Sequence, residues 1–268
     1  MTSRWKRRAA VAAAGALLIA AAGVAAQLIP KAGLFCQKVV VPAYFYPGAS
    51  WTRAIDSRPV PSAMILDITS SGAGSAPDRN YQRAIKQAKA AGIRIVGYAN
   101  TDYSRRTSAS VEADVRNYRA WYGVTDIFLD EVSSGGGGIP YYRRMAGYIH
   151  RVNPGSMVML NPGTYPDEQY LSVGDVVVVY EDSYASYVKL DVPRWTAEYP
   201  AAKFAHIIYA TSATDMASAI SLSRRRHAGY VYVTGASGVN PYRSLPGYWR
   251  AEDAAIAAKC TGGWTFLP

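Results

Sequence analysis

Eight short apolar runs, rich in β-branched residues and separated by helix-patterned stretches, restrict what this chain can fold into. They span 38–46, 62–69, 93–100, 126–132, 157–161, 176–181, 205–211 and 229–234. Runs of this kind read as strands buried on both faces, the habit of parallel sheets covered by helices. Helical patterns fill most of the gaps. Residues 78–91 are rich in Ala, Lys and Gln and stop at Gly92, and Ser110 is placed to cap a helix that runs to Gly123. Ile139 to Val152 ends at Asn153-Pro154-Gly155, Thr214 to His227 is closed by Gly229, and a last helix follows Pro246 to about Lys259. Eight strands alternating with helices predict a single α/β domain, a (β/α)8 TIM barrel over 38–268, in preference to an open doubly wound sheet. Two places strain this prediction. Pro42 lacks an N–H and calls for a bulge or a late strand start, and the link 162–175 is near the minimum for a crossover.

Five of the runs end in polar or acidic residues: Asp67, Asn100, Asp130-Glu131, Asn161 and Glu181-Asp182. The carboxyl ends of barrel strands form the rim that carries active sites, so these residues are expected together on one rim. A single acid there could merely cap a helix or pair with a base. Three aligned acids, two of them doubled, point to a carboxylate-lined cleft. Such a cleft could also hold Ca²⁺ or Mg²⁺.

Other chemistries are harder to build. The three histidines, His150, His206 and His227, fall late in a helix or toward the amino ends of strands, which argues against a triad or a zinc site. No Gly-x-Ser-x-Gly elbow occurs. Gly135 to Gly138 lacks the pattern of a phosphate loop and reads as a rim loop beside Glu131. No metal and no cofactor is implied. Paired carboxylates suit glycoside hydrolysis, where one acid protonates the leaving oxygen and the other attacks or activates water. Strands four and six lie two positions apart, roughly 9–10 Å, so Asp130 and Glu181 could span the roughly 5–9.5 Å that such enzymes use. Among 21 tyrosines, Tyr44 and Tyr46 end the first run, Tyr98 precedes Asn100, and Tyr165, Tyr180, Tyr184 and Tyr187 cluster near later strand ends, where rings with polar tips suit sugar faces. Tyr44 and Tyr98 with Asp67, Asn100, Asn161 and Asp182 make the candidate substrate-binding set. More than half of the tyrosines are expected simply to cover the barrel.

Arg4, Lys6, Arg7 and Arg8 precede an uncharged run from Ala9 to Ala26, the pattern of a signal peptide cleaved before Gln27. An uncleaved anchor is the alternative, and the only route to a membrane; either way the remainder is exported, with a secreted location expected. Residues 27–37 form a lead-in. The full chain carries a formal charge of +10, four positive charges of it in the leader. The pairs Arg105-Arg106 and Arg143-Arg144 and the run Arg224-Arg225-Arg226 are short and separated, so they read as solvated faces, and no nucleic-acid partner is expected. A monomer is expected. In an exported chain, Cys36 before the first strand and Cys260 near the end of the last helix would bridge at the barrel closure; two buried thiols are the alternative.

With these residues in view the chain resembles the spherulin-type (spherulation-specific) glycoside hydrolases. The matching segments are Val-Pro-Ala-Tyr-Phe-Tyr-Pro-Gly at 41–48, Gly-Tyr-Ala-Asn-Thr-Asp-Tyr at 97–103, Phe-Leu-Asp-Glu-Val at 128–132, Leu-Asn-Pro-Gly-Thr at 160–164 and Val-Tyr-Glu-Asp at 179–182. The resemblance implies a (β/α)8 barrel that cleaves α-1,4-linked N-acetylgalactosamine within a galactosaminogalactan-like exopolysaccharide. It also implies functional carboxylates at Asp130, Glu131 and Glu181. On that basis Glu181 is expected as general acid/base and Asp130 as nucleophile, with Glu131 orienting the sugar. A non-catalytic polysaccharide- or wall-binding barrel is the competing expectation.

Overall fold

The computed structural model describes residues 35–258; the leader and Cys260 lie outside that range. The strands are β1 (Lys38–Ala43), β2 (Ala63–Leu66), β3 (Arg94–Asn100), β4 (Asp126–Asp130), β5 (Val158–Leu160), β6 (Val176–Ser183), β7 (Phe204–Tyr209) and β8 (Tyr230–Val233). The helices are α1 (Ala49–Ile55), α2 (Arg79–Ala90), α3 (Ser108–Tyr122), α4 (Ile139–Val152), α5 (Tyr184–Tyr187), α6 (Met216–Arg225) and α7 (Trp249–Ala257). All eight strands are parallel and close into a barrel in chain order, β8 pairing back to β1. This is the (β/α)8 architecture that the alternating pattern predicts. Among the described residues no helix is long and apolar enough to cross a membrane.

The boundaries show local chemistry at work. Asp78 caps α2, its Oδ1 accepting the N–H groups of Asn80 and Tyr81 at 2.7 and 3.2 Å. The cap of α3 is Thr107 and not Ser110: the Thr107 hydroxyl accepts from Ser110 N, and the helix closes at Gly123, whose φ of 60° is the left-handed stop. Helix α1 buries only Trp51 and Ala54 in seven residues, too short for a periodicity to show. The short link 162–175 holds no α-helix; a 3-10 turn at Glu168–Ser172 makes the crossover.

Pro42 needs no bulge. It sits in register opposite Ile65 of β2, while β8 pairs with β1 only at Lys38 and Val39. Beyond Val39 that seam is open, and the Val233 N–H turns to Glu252 Oε1 of α7 at 2.7 Å. On an unpaired edge a residue without an N–H is tolerated.

The irregularity falls in β6 instead. Val178 lies opposite Ala205 and Tyr180 opposite His206, leaving Val179 as an extra residue. Side chains alternate along a strand, so one inserted residue reverses the facing of those after it. Tyr180 and His206 therefore face the helix layer, where His206 Nδ1 meets Tyr187 Oη at 2.6 Å. His206 is fully buried, and burial pushes its imidazole down to about 3, which keeps it neutral. Glu181 is turned to the barrel mouth.

Many tyrosines do cover the barrel. Tyr118, Tyr142, Tyr170 and Tyr187 are fully buried, and the Tyr118 hydroxyl reaches Leu66 O at 3.1 Å. Of the Arg224–Arg226 run only Arg225 is exposed as expected. Arg224 donates to the carbonyls of Ala255 and Ile256 at 3.2 and 2.7 Å, and Arg226 to those of Val188 and Leu190 at 3.2 and 3.1 Å. Those acceptors are carbonyls at or just past the ends of α7 and α5, which lack helical donors.

Candidate active site

Asn161 organises the rim. It follows β5 in an Asn-Pro-Gly turn, and Gly163 takes a φ of 66° there. The Gly163 carbonyl accepts the Glu181 N–H at 2.9 Å, tying the turn to β6. The Gly163 N–H in turn donates to Asn161 Oδ1 at 3.0 Å, which fixes the amide orientation. The Asn161 Nδ2 group then donates both of its protons to acids, to Asp130 Oδ1 at 2.7 Å and to Glu181 Oε2 at 2.5 Å. Two oxygens held on one nitrogen cannot be farther apart than the sum of those bonds, about 5 Å.

Each carboxylate has further donors. Tyr242, from the loop after β8, donates to Glu181 Oε1 at 2.7 Å. The Tyr98 hydroxyl and the Glu131 N–H stand close enough to Asp130 to draw its carboxyl down. Tyr44 is partly buried and stands edge-on to Tyr98 and Tyr242, with ring centroids 5.5 and 5.4 Å away. These three rings wall the two acids. Burial first, and the Glu181 charge second, raise the Asp130 carboxyl to about 6 against the pull of its donors. Burial and the Asp130 charge hold the Tyr98 hydroxyl far above its ordinary value, so Tyr98 stays a proton donor.

Glu131 is set apart by its backbone. Its φ of 50° is left-handed, and its carbonyl accepts from Tyr103 N at 2.8 Å and Thr101 Oγ1 at 2.9 Å. A non-glycine residue in this region costs roughly 1–2 kcal/mol, a strain that concentrates at functional sites.

The remaining candidates lie farther out on the same rim. Asp67 accepts from Ser70 N at 2.6 Å, and burial raises its carboxyl. Asn100 Oδ1 accepts from Asp102 N at 2.7 Å and starts the next loop. Asp182 turns toward β7, accepting from Tyr209 Oη at 2.7 Å and Ser183 N at 2.5 Å. Burial would raise Asp182, but these donors hold it below the usual carboxylate range. Asp130, Asn161, Glu181, Tyr44 and Tyr98 thus meet at one centre, whereas Asp67, Asn100 and Asp182 shape its edge. Tyr242 was not among the expected residues, because it lies in an irregular loop with no periodic signal. Among the described residues no group of three or more His, Cys, Asp or Glu side chains is arranged to hold a metal ion.

Fold and site together define a barrel of the glycoside-hydrolase or carbohydrate-binding class. The chain belongs to the spherulation-specific family 4, whose model matches residues 38–256. It is 35% identical over 234 residues to Spherulin-4 of Physarum polycephalum, covering 82% of this chain and 70% of that protein. Among solved structures it is similar to Aspergillus clavatus Sph3 in complex with GalNAc, with a TM-score of 0.72 and 25% identity over 82% of this chain and 97% of that one. A chitinase from Chromobacterium violaceum shares the fold at 13% identity, with a TM-score of 0.54 over 84% of this chain and 100% of that one.

Proposed function

We propose that this protein is an exported, endo-acting glycoside hydrolase that cleaves α-1,4-linked N-acetylgalactosamine in a galactosaminogalactan-like polysaccharide. The observation that carries the reading is the pair of carboxylates bridged by the Asn161 amide. Facing oxygens held within about 5 Å favour the retaining arrangement, whose carboxyl groups stand about 5–5.5 Å apart, over the inverting one at about 6.5–9.5 Å. The GalNAc bound in the related Sph3 structure supports an amino-sugar substrate. The basic and apolar leader supports export.

In this reading Glu181 protonates the glycosidic oxygen and Asp130 attacks the anomeric carbon. Asp130 titrates near 6, so above that pH it is ionised, as a nucleophile requires. Water then attacks the glycosyl-enzyme, with Glu181 taking its proton. In an α-linked substrate the 2-acetamido group is cis to the leaving group and cannot attack from behind, so an enzyme carboxylate or a water must; the close carboxylates favour the carboxylate. Glu131 orients or binds the sugar.

The test is product analysis on galactosaminogalactan with wild type, Asp130→Asn and Glu181→Gln. Wild type is expected to release oligosaccharides, and each variant to lose roughly 10²–10⁴-fold in rate. Polymer binding without any release of reducing ends, in wild type and variants alike, would instead mark a binding barrel.

A further inference from the structure

Among the described residues two aromatic side chains are more than half exposed, Tyr46 at 55% and Tyr103 at 53%. Both stand on the carboxyl rim, in the loops after β1 and β3, with Asp67 at the end of β2 between them. Exposing so much apolar surface forfeits its burial, and such surface tends to mark a binding site.

Both side chains are anchored. The Tyr46 hydroxyl donates to Asp78 Oδ2 at 2.9 Å and accepts from Asn80 Nδ2 at 2.8 Å. Its ring rests edge-on against Tyr81 at 5.2 Å, and Tyr81 Oη bonds the Asp67 carbonyl at 3.3 Å. Tyr103 is anchored through its backbone. Asp102, Tyr103 and Ser104 all take left-handed φ values of 46°, 52° and 74°. Three successive strained residues persist only where their surroundings impose them, and such strain gathers at ligand clamps. Here Asn100 Oδ1 catches Asp102 N and the Glu131 carbonyl catches Tyr103 N, at 2.7 and 2.8 Å. The Arg105 guanidinium lies 5.7 Å over the Tyr103 ring and is ion-paired to Asp102. The charges of Glu131 and Asp130 both act on the Tyr103 hydroxyl, so this ring borders the carboxylate centre.

We infer that Tyr103 and Tyr46 are stacking platforms for the sugar units of one bound polysaccharide chain, Tyr103 beside the bond that is cleaved and Tyr46 farther along. This rests on the assignment of Asp130 and Glu181 as the cleavage site and adds the path of the chain, from β4 across β3 and β2 toward β1. Aromatic rings with a polar tip suit this task, since the ring meets the apolar face of a sugar while the hydroxyl stays hydrogen-bonded.

The test compares Tyr103→Ala, Tyr46→Ala and the phenylalanine variants on long galactosaminogalactan chains and on short oligosaccharides. Tyr103→Ala is expected to raise KM on long chains roughly tenfold or more with kcat little changed. Tyr46→Ala is expected to raise KM on long chains alone. Both phenylalanine variants keep the ring and should keep most of the affinity. Polymer binding to Glu181→Gln, with and without the alanine changes, is measured separately by calorimetry. Full activity of Glu181→Gln would sink the cleavage-site assignment, and the binding comparison would still decide the platforms. Unchanged KM and unchanged binding in both alanine variants would overturn the inference, as would a loss of kcat with KM intact.

Discussion

The hydroxyl of Tyr242 donates to Glu181 Oε1 at 2.7 Å, so a residue from the loop after the last strand fixes an acid at the end of the sixth. The other Glu181 oxygen is held by Asn161. Burial and the Glu181 charge keep the Tyr242 hydroxyl far above its ordinary value, so the proton stays on the tyrosine. Glu181 is thereby presented in one orientation before any substrate arrives.

Tyr242→Phe removes that donor and leaves the ring. A hydrogen bond to a charged group contributes about 1.5–3 kcal/mol, so kcat on the polymer should fall roughly 10–100-fold with KM nearly unchanged. Steady-state kinetics with a folded variant checks this, and a wild-type kcat would remove Tyr242 from the site.

The pH profile reports on Asp130, whose carboxyl is raised to about 6. A nucleophile must be ionised, so kcat/KM should drop on the acid side as pH falls through about 6, and not near 4 where ordinary carboxyls titrate. An alkaline limb near 6 would instead make Asp130 the proton donor and reverse the two roles.

The same raised carboxyl has a consequence for stability. In the folded protein Asp130 titrates near 6, above the roughly 3.9 of an unfolded chain. Its neutral form is favoured in the fold, so its contribution is fully present below about 4 and lost as pH rises through 6. Asp130→Asn should therefore stabilise the protein at pH 7.5 by roughly 1–3 kcal/mol, and the gain should vanish at pH 4. Thermal melts at the two pH values decide it; an equal gain at both would contradict the burial argument.

Much of this site can be read from strand endings alone. In a parallel barrel every carboxyl end reaches the same rim, so Asp67, Asn100, Asp130, Asn161 and Glu181 could be grouped before any coordinates. Other features carried no local mark. Val176 to Val179 is a uniform valine run, so nothing shows that Val179 is the inserted residue that turns Glu181 inward. The left-handed run Asp102–Ser104 contains no glycine to announce it. Pro42 looks misplaced in the sequence because the opening of the β1–β8 seam beyond Val39 is a tertiary feature. Tyr242 lies in an irregular loop, where neither periodicity nor capping applies.

On the proposal that the chain is exported, Cys36 and Cys260 are predicted to be bridged. Cys36 precedes β1, and α7, which ends at Ala257, leads toward Cys260. Thiol titration of denatured, unreduced protein should find no reactive thiol, whereas two would refute the bridge. Removing it should cost roughly 2–5 kcal/mol.

The central claim is that Asp130 and Glu181 act as a retaining pair across Asn161, and the anomeric configuration of the first products tests it most directly. Proton NMR of newly cleaved α-1,4-linked N-acetylgalactosamine chains should show α reducing ends first, with the β form appearing only by mutarotation. β ends appearing first would mean inversion by a water between more widely spaced carboxylates, and would contradict the bridged geometry.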